Sequence, residues 1–274
     1  MGAPSATRGS GRIAARFLEL RRRGERALIP FLTAGDPDLE TTEALVLEMA
    51  GAGADLIELG VPFSDPIAEG PTIQRSSSRA LARGTSLRGV LHLVDRLRAR
   101  IEQPLVLMGY ANPIHAMGGE AFAKAASSVG VDGIIIPDLL PEDGKPWLDP
   151  CRAAGIDPIL LAAPTTRLER LAYLVRETRG FLYAVSLQGV TGARATLSQG
   201  IEGRVRYAKS LSDIPVCVGF GVSTAEQARR IGSYADGVVI GSAIVDRIEQ
   251  ASSKTSAVDD VARFIEELKA SLRD

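Results

Sequence analysis

Short apolar runs alternate with longer amphipathic segments along almost the whole chain. Eight of the runs have the length of a strand and are apolar on both faces, as the strands of a buried parallel sheet are. These runs are Ala27–Leu32, Asp55–Leu59, Leu105–Gly109, Gly133–Ile136, Pro158–Leu161, Phe181–Val185, Val216–Gly219 and Gly237–Ile240.

Between these runs lie segments in which apolar residues recur with the spacing of a helix. The clearest helical segments are Leu39–Ala50, Leu87–Arg100, Gly119–Val129, Leu168–Arg176 and Thr224–Ile231. A further helix, about Gly11–Gly24, precedes the first run, and a terminal helix, about Ala257–Leu272, carries an apolar stripe that predicts packing onto the body. Ser223 is the predicted N-cap of the helix beginning at Thr224, with Glu226 at capping-box spacing.

This alternation predicts an α/β fold, a (β/α)8 TIM barrel with an extra N-terminal helix, as a single domain over residues 11–274. The competing arrangement is an open doubly wound sheet, which usually carries a glycine-rich dinucleotide turn after its first strand. Here the first run is followed by Thr33-Ala34-Gly35-Asp36-Pro37, which lacks that pattern. Residues 1–10 are rich in Gly, Ser, Ala and Pro and predict a flexible tail, not a secretory signal.

Composition excludes several classes of protein. The chain of 274 residues has 32 Lys and Arg against 33 Asp and Glu, so it offers no basic field for nucleic acid. No apolar run is long enough for a membrane helix. Two cysteines, Cys151 and Cys217, and two histidines, His92 and His115, provide neither a disulfide framework nor a His-rich metal site. We expect a cytoplasmic protein without a metal, a membrane anchor or a nucleic-acid partner.

Glu58 is a lone carboxylate in an apolar strand, and no Lys, Arg or His lies between Asp55 and Gln74 to neutralise it. Burying an ionised group is expensive unless it is paired or put to use. Desolvation raises the pKa of such a group, so that it both donates and accepts a proton near neutrality. Because Glu58 lies near the C-terminal end of its strand, where barrel active sites form, we expect an acid–base residue. The alternative is a structural ion pair inside the barrel.

Two glycine-containing turns follow the seventh and eighth runs, Gly219–Ser223 and Gly241–Ala243. Glycine permits close backbone approach and helix N-termini favour anions, so the pair predicts the phosphate site usual in this fold; simple tight turns are the alternative. After the sixth run, Ser186–Arg194 is rich in small residues and predicts a loop that closes over a substrate. An ordinary long surface loop is the alternative there.

Five sequence blocks resemble the tryptophan synthase α subunit family: Pro30–Pro37, Ile57–Pro66, Tyr110–Pro113, Gly189–Gly192 and Gly219–Ser223. The resemblance runs from about Arg12 to the C-terminus. It implies retro-aldol cleavage of indole-3-glycerol phosphate to indole and glyceraldehyde 3-phosphate, with no metal or organic cofactor in this chain. It also implies a β subunit that carries pyridoxal phosphate in an αββα complex and receives the indole for L-tryptophan synthesis.

The resemblance further implies roles for individual residues. Glu58 would protonate C3 of the indole ring and then take the glycerol hydroxyl proton. Glu69 stands where the family carries an aspartate that stabilises positive charge on the indole nitrogen, and Tyr183 is a third catalytic candidate. Substrate binding is implied for Phe31, Asp65, Met108, Thr191, Gly192, Phe220, Gly221, Gly241 and Ser242. Two other functions stay open: a stand-alone lyase that releases indole, and, because of Glu69, a weakly active allosteric activator of the β subunit.

Overall fold

The computed structural model describes residues 11–186 and 194–273, with the backbone alone for residues 194–199. The predicted tail, residues 1–10, lies outside this part. The strands in it are β1 (Ala27–Thr33), β2 (Ile57–Gly60), β3 (Leu105–Met108), β4 (Gly133–Ile135), β5 (Asp157–Pro158), β6 (Leu160–Ala162), β7 (Leu182–Val185), β8 (Val216–Gly219) and β9 (Gly237–Ile240). The helices are α1 (Arg12–Arg23), α2 (Leu39–Gly51), α3 (Pro71–Ala82), α4 (Leu87–Arg98), α5 (Ala111–Met117), α6 (Gly119–Ser128), α7 (Lys145–Ala153), α8 (Leu168–Glu177), α9 (Arg194–Leu211), α10 (Ala225–Gly232), α11 (Ser242–Gln250) and α12 (Lys254–Ser271).

The strands form one parallel sheet in the order β5-β4-β3-β2-β1-β9-β8-β7-β6. Its two ends, β5 and β6, are halves of a single barrel strand that is interrupted only at Ile159. The Ile159 N–H donates to the Ile134 carbonyl at 2.9 Å, while β6 pairs with β7 on the other side. The sheet therefore closes into an eight-stranded barrel, and the predicted TIM fold is confirmed.

Side-chain alternation along each strand separates two apolar layers. In β2 and the residue before it, Leu56 and Glu58 point into the barrel, whereas Ile57 and Leu59 pack against the surrounding helices. The same alternation places Met108 inside and Leu107 outside. Glu58 therefore points into the barrel interior.

The N-terminal helix α1 closes one end of the barrel. Its buried residues Ile13, Phe17 and Leu20 join the apolar cluster of the barrel interior, and the Phe17 and Phe181 ring centroids are 5.9 Å apart. This helix fills the N-terminal end, and the interior opens at the C-terminal ends of the strands, where barrel active sites form.

At the closed end, Asp55 is a fully buried junction of four elements. Its carboxylate accepts hydrogen bonds from the Leu28 N–H at 2.7 Å, from Arg16 at 2.7 Å and from Lys269 at 2.8 Å. Lys269 also pairs with Glu25 at 3.1 Å. This network ties α1 and α12 to the start of the sheet.

All five helical segments predicted between the runs form helices, and so do the N-terminal and C-terminal segments. The predicted N-cap of α10 is wrong by one residue. Thr224, in extended conformation, accepts from the Gln227 N–H at 3.2 Å, and the Gln227 side chain accepts from the Ser223 N–H at 2.8 Å. None of the described helices is long and apolar enough to span a lipid bilayer.

Candidate active site

Glu58 lies on β2 directly beside Phe31 of β1 and is only 1% exposed. Neither of its carboxylate oxygens has a hydrogen-bond partner among the described residues. Burial, followed by the charge of Glu69, raises the pKa of Glu58 to about 8. The alternative of a structural ion pair is therefore wrong within the described part, and Glu58 carries a proton at neutral pH.

A cavity with about 430 Å³ of empty volume opens above Glu58 at the C-terminal ends of the strands. Its lining combines two carboxylates, a tyrosine, apolar side chains and glycine-containing turns. The lining residues are Phe31, Glu58, Glu69, Ile73, Met108, Tyr183, Phe220, Gly221, Val222, Val239, Gly241 and Ser242.

The apolar walls suit a flat aromatic ring. Phe31 and Met108 are buried and both line the cavity, and the Phe31 ring fills the space that a side chain at Gly60 would need. A Cβ at Gly60 would lie 2.6 Å from the Phe31 Cζ atom, so glycine at this position permits the inward position of the ring.

Glu69 brings a second carboxylate into the cavity from the loop between β2 and α3. Its side chain accepts a hydrogen bond from the Tyr110 hydroxyl, which itself accepts from the Ala68 N–H at 3.0 Å. The pKa of Glu69 is raised, because burial outweighs the Tyr110 hydrogen bond, which lowers it. The two cavity carboxylates therefore have different surroundings: Glu69 has a donor and Glu58 has none.

Tyr183, on β7, is buried beside these carboxylates. Burial, followed by the Glu58 charge, raises the pKa of its hydroxyl well above the usual range. Gly219 makes room for the ring, because a Cβ there would lie 2.8 Å from the Tyr183 Cζ atom. Phe220 meets Tyr183 edge-on, with ring centroids 5.8 Å apart.

The turn after β8 has two consecutive residues in the left-handed region, Phe220 at φ 73° and Gly221 at φ 74°. Ser186 holds this turn, because its hydroxyl donates to the Phe220 carbonyl at 2.5 Å. Beside it, Gly241 precedes α11, whose first residue is Ser242. Backbone turns and a helix N-terminus at one edge of a cavity favour an anion there.

Most of the residues predicted for the site meet in this cavity. Asp65 is exposed and does not line it, and Thr191 and Gly192 lie outside the described residues. Sequence reasoning missed Ile73, Val222 and Val239 as lining residues. Inward alternation along β9 could have identified Val239, and Val222 lies within the predicted turn Gly219–Ser223, whereas no local pattern marked Ile73.

Comparison with known proteins gives consistent matches over the whole barrel. The family model of the tryptophan synthase alpha chain matches residues 17–273. The tryptophan synthase alpha chain of Geobacter sp. (strain M21) is 49% identical over 258 residues, which cover 94% of this chain and 96% of the relative. That of Burkholderia pseudomallei (strain 1106a) is 50% identical over 262 residues, covering 95% and 96% respectively.

Solved structures agree with these relatives. Tryptophan synthase from M. tuberculosis in its aminoacrylate-bound form matches with a TM-score of 0.86 and 35% identity, covering 96% of this chain and 100% of the other. Tryptophan synthase subunit alpha from Legionella pneumophila str. Paris matches with a TM-score of 0.88 and 34% identity, covering 96% and 99%. With a family match from residue 17 to residue 273 and relatives at about 50% identity, the chain belongs to the tryptophan synthase alpha chain family.

Proposed function

We propose that Glu58 and Glu69 divide between them the proton transfers and the charge stabilisation of the reaction that this family catalyses. That reaction is the retro-aldol cleavage of indole-3-glycerol phosphate to indole and glyceraldehyde 3-phosphate, a carbon–carbon lyase reaction. The observation that carries the proposal is Glu58, a carboxyl group that is buried without a partner among the described residues and has its pKa raised to about 8.

The chemistry needs one group that first gives and then takes a proton. Protonated Glu58 donates its proton to C3 of the indole ring, and the ring nitrogen gains positive charge. The Glu58 carboxylate then takes the proton of the glycerol hydroxyl next to the scissile bond. As that bond breaks, its electrons return to the ring, the hydroxyl carbon becomes the aldehyde, and Glu58 is protonated again. A pKa near the working pH suits both steps.

Glu69 supplies the negative charge that opposes the positive charge on the indole nitrogen. Its carboxylate enters the same cavity and is held there by Tyr110. A preoriented charge at the place where the opposite charge develops lowers the barrier without reorganisation. The longer glutamate thus takes the role that the family resemblance gives to an aspartate.

The remaining groups bind the two ends of the substrate. Phe31 and Met108 contact the indole ring, while the backbone around Phe220, Gly221, Gly241 and Ser242 binds the phosphate. Tyr183 packs between the two ends beside Glu58. The substrate-binding roles of Asp65, Thr191 and Gly192 stay predictions from the resemblance.

We also propose that the chain works in an αββα complex with a β subunit that carries pyridoxal phosphate, and that this chain itself needs no cofactor. The support is the presence of exposed apolar residues in two loops that follow the C-terminal ends of strands. Ile67, after β2, is 72% exposed, and Leu140, after β4, is 59% exposed. Exposed apolar side chains that together form a contiguous patch are typical of a partner surface.

The test is indole release from indole-3-glycerol phosphate with and without a β subunit. We expect wild-type protein to release indole, strong acceleration by β, and loss of release in Glu58→Gln in both conditions. A matched control is Glu266→Gln, which changes an exposed glutamate on α12 and is expected to keep the wild-type rate.

Three results would contradict parts of the proposal. Retention of more than a few per cent of the rate in Glu58→Gln would remove its assigned role. Fast release that β does not change would favour the stand-alone lyase. Negligible release with β, combined with a faster β reaction, would favour the allosteric activator.

A further inference from the structure

Tyr110 connects the loop that carries Glu69 to the end of β3. The side chain of Tyr110 is 3% exposed, and its ring stacks on Phe63 with centroids 4.9 Å apart and an interplanar angle of 20°. Its hydroxyl accepts from the Ala68 N–H at 3.0 Å and donates to the Glu69 carboxylate. The Tyr110 side chain therefore contacts this loop at three residues, Phe63, Ala68 and Glu69.

The main chain of Glu69 is fixed independently of its side chain. The Glu69 N–H donates to the Pro66 carbonyl at 3.2 Å, and the Gln74 side chain donates to the Glu69 carbonyl at 2.9 Å. With the backbone held, the Tyr110 hydrogen bond selects one direction for the flexible carboxyl group. A glutamate has three side-chain torsions to restrain, so such a partner decides where its charge lies.

Two carboxylates in one small cavity do not both ionise cheaply, because each disfavours the charge of the other. The two carboxyl groups differ in their hydrogen-bond donors. Glu69 accepts from Tyr110, whereas both oxygens of Glu58 are buried without a partner in the described part. A hydrogen bond to the charged form stabilises that form, so the charge belongs on Glu69 and the proton on Glu58.

We propose that Tyr110 is a positioning residue whose hydroxyl orients the Glu69 carboxylate and thereby assigns the negative charge of the pair to Glu69 and the proton to Glu58. This inference rests on the proposed function for its catalytic consequence. Tyr110 itself does not line the cavity, so it acts through Glu69 and not by contact with the substrate.

The charged and titratable groups around Glu69 come from four elements. Glu58 on β2 and Tyr183 on β7 interact with it across the cavity. Asp138, after β4, raises the pKa of Glu69, and its carboxylate is held nearby by the Ala111 N–H at 3.0 Å. Among these side chains only Tyr110 lowers the pKa of Glu69, and a backbone hydrogen bond lowers it further, so removing the Tyr110 hydroxyl takes away the largest influence that lowers this pKa.

The first test titrates the carboxyl groups without any substrate. Protein labelled with ¹³C at glutamate side-chain carboxyls is titrated by NMR, and Glu58→Gln and Glu69→Gln assign the two signals. In Tyr110→Phe, which keeps the ring and its stack on Phe63, we expect the Glu69 midpoint to rise by about one pH unit. An unchanged midpoint overturns the proposal whether or not the protein cleaves indole-3-glycerol phosphate.

The second test is a double-mutant cycle on indole release. We expect Tyr110→Phe to lower kcat by about tenfold or more, since a hydrogen bond to a charged group is lost, with KM changed less than about threefold. The acid limb of the pH profile of kcat should move to higher pH. In a Glu69→Gln background the same change should have little further effect, because its target charge is gone.

A matched control is Tyr173→Phe on α8, a half-buried tyrosine outside the cavity that should leave kcat and both limbs unchanged. An equal loss from Tyr110→Phe in the wild-type and Glu69→Gln backgrounds would show a merely structural role and overturn the proposal. Failure of the proposed function has a different signature: wild-type protein would release no indole, or Glu58→Gln would keep its rate, while the NMR midpoints would still report on Tyr110.

Discussion

Replacing Glu58 by Gln should make the protein more stable while abolishing its proposed catalysis. The change keeps the size and shape of a side chain that is only 1% exposed and removes its ability to ionise. Neither oxygen of Glu58 has a hydrogen-bond partner in the described part of the chain, so no hydrogen bond seen there is lost. The substitution therefore removes only the free-energy cost of ionising a buried carboxyl group, and the folded state becomes more stable.

The size of the effect follows from the pKa. Burial raises the pKa of Glu58 from 4.5 to about 8, and that difference corresponds to about 5 kcal/mol. Because the folded-state pKa is the higher one, the contribution of Glu58 to stability is complete below about pH 4.5 and is lost as the pH rises through about 8. We expect the advantage of Glu58→Gln to be small at pH 5 and to reach roughly 3–5 kcal/mol at pH 9.

The assay is equilibrium unfolding in urea, followed by circular dichroism, at one-unit steps from pH 5 to pH 9. Wild type, Glu58→Gln and the exposed control Glu266→Gln are compared at each pH. The control should follow wild type throughout. A free-energy difference between Glu58→Gln and wild type that does not change with pH, or that shrinks as the pH rises, would refute the reasoning.

Three further predictions test other parts of the structure. Asp55→Ala should cost about 3–5 kcal/mol in urea unfolding, because it removes the buried carboxylate that the Leu28 N–H, Arg16 and Lys269 share and leaves Glu25 as the acidic partner of Lys269; a loss under 1 kcal/mol would be inconsistent with that role. Gly219→Ala should keep a native circular dichroism spectrum but lower the rate of indole release by about tenfold or more, since its Cβ would lie 2.8 Å from the Tyr183 Cζ atom; an unchanged rate would contradict this. Burial raises the pKa of Asp157 to about 6, so its stability contribution is complete below about pH 3.8 and is lost as the pH rises through 6; Asp157→Asn should stabilise by about 2–3 kcal/mol at pH 8 and by little at pH 4, as unfolding at both pH values will show.

The barrel could be predicted because its strands are apolar on both faces and regularly spaced. All eight runs became barrel strands, and the fifth run is the one that β5 and β6 share. Helices α3, α5, α7 and α9 were not predicted: α5 has only seven residues, and α7 contains Pro150. Packing onto the barrel, and not local periodicity, stabilises such helices.

The features of the site also fall into two groups: those that a local sequence pattern marks and those that depend on the fold. Glu58 could be identified because a carboxylate inside an apolar strand, without a nearby cation in sequence, is itself the signal. The hydrogen bond between Tyr110 and Glu69 joins residues 41 positions apart, and no local pattern encodes it. The exposed position of Asp65 likewise depends on how its loop leaves β2, which strand periodicity does not determine.

The protonation state of Glu58 is the central claim, and infrared difference spectroscopy measures it most directly. Subtracting the spectrum of Glu58→Gln from that of wild type isolates the C=O stretch of the protonated carboxyl group, which is followed from pH 4 to pH 10. The account predicts a band that is present at pH 6 and disappears with a midpoint near 8, as burial of Glu58 requires. A midpoint between 4 and 5 would show a carboxylate already ionised at neutral pH and would contradict Glu58 as the proton donor.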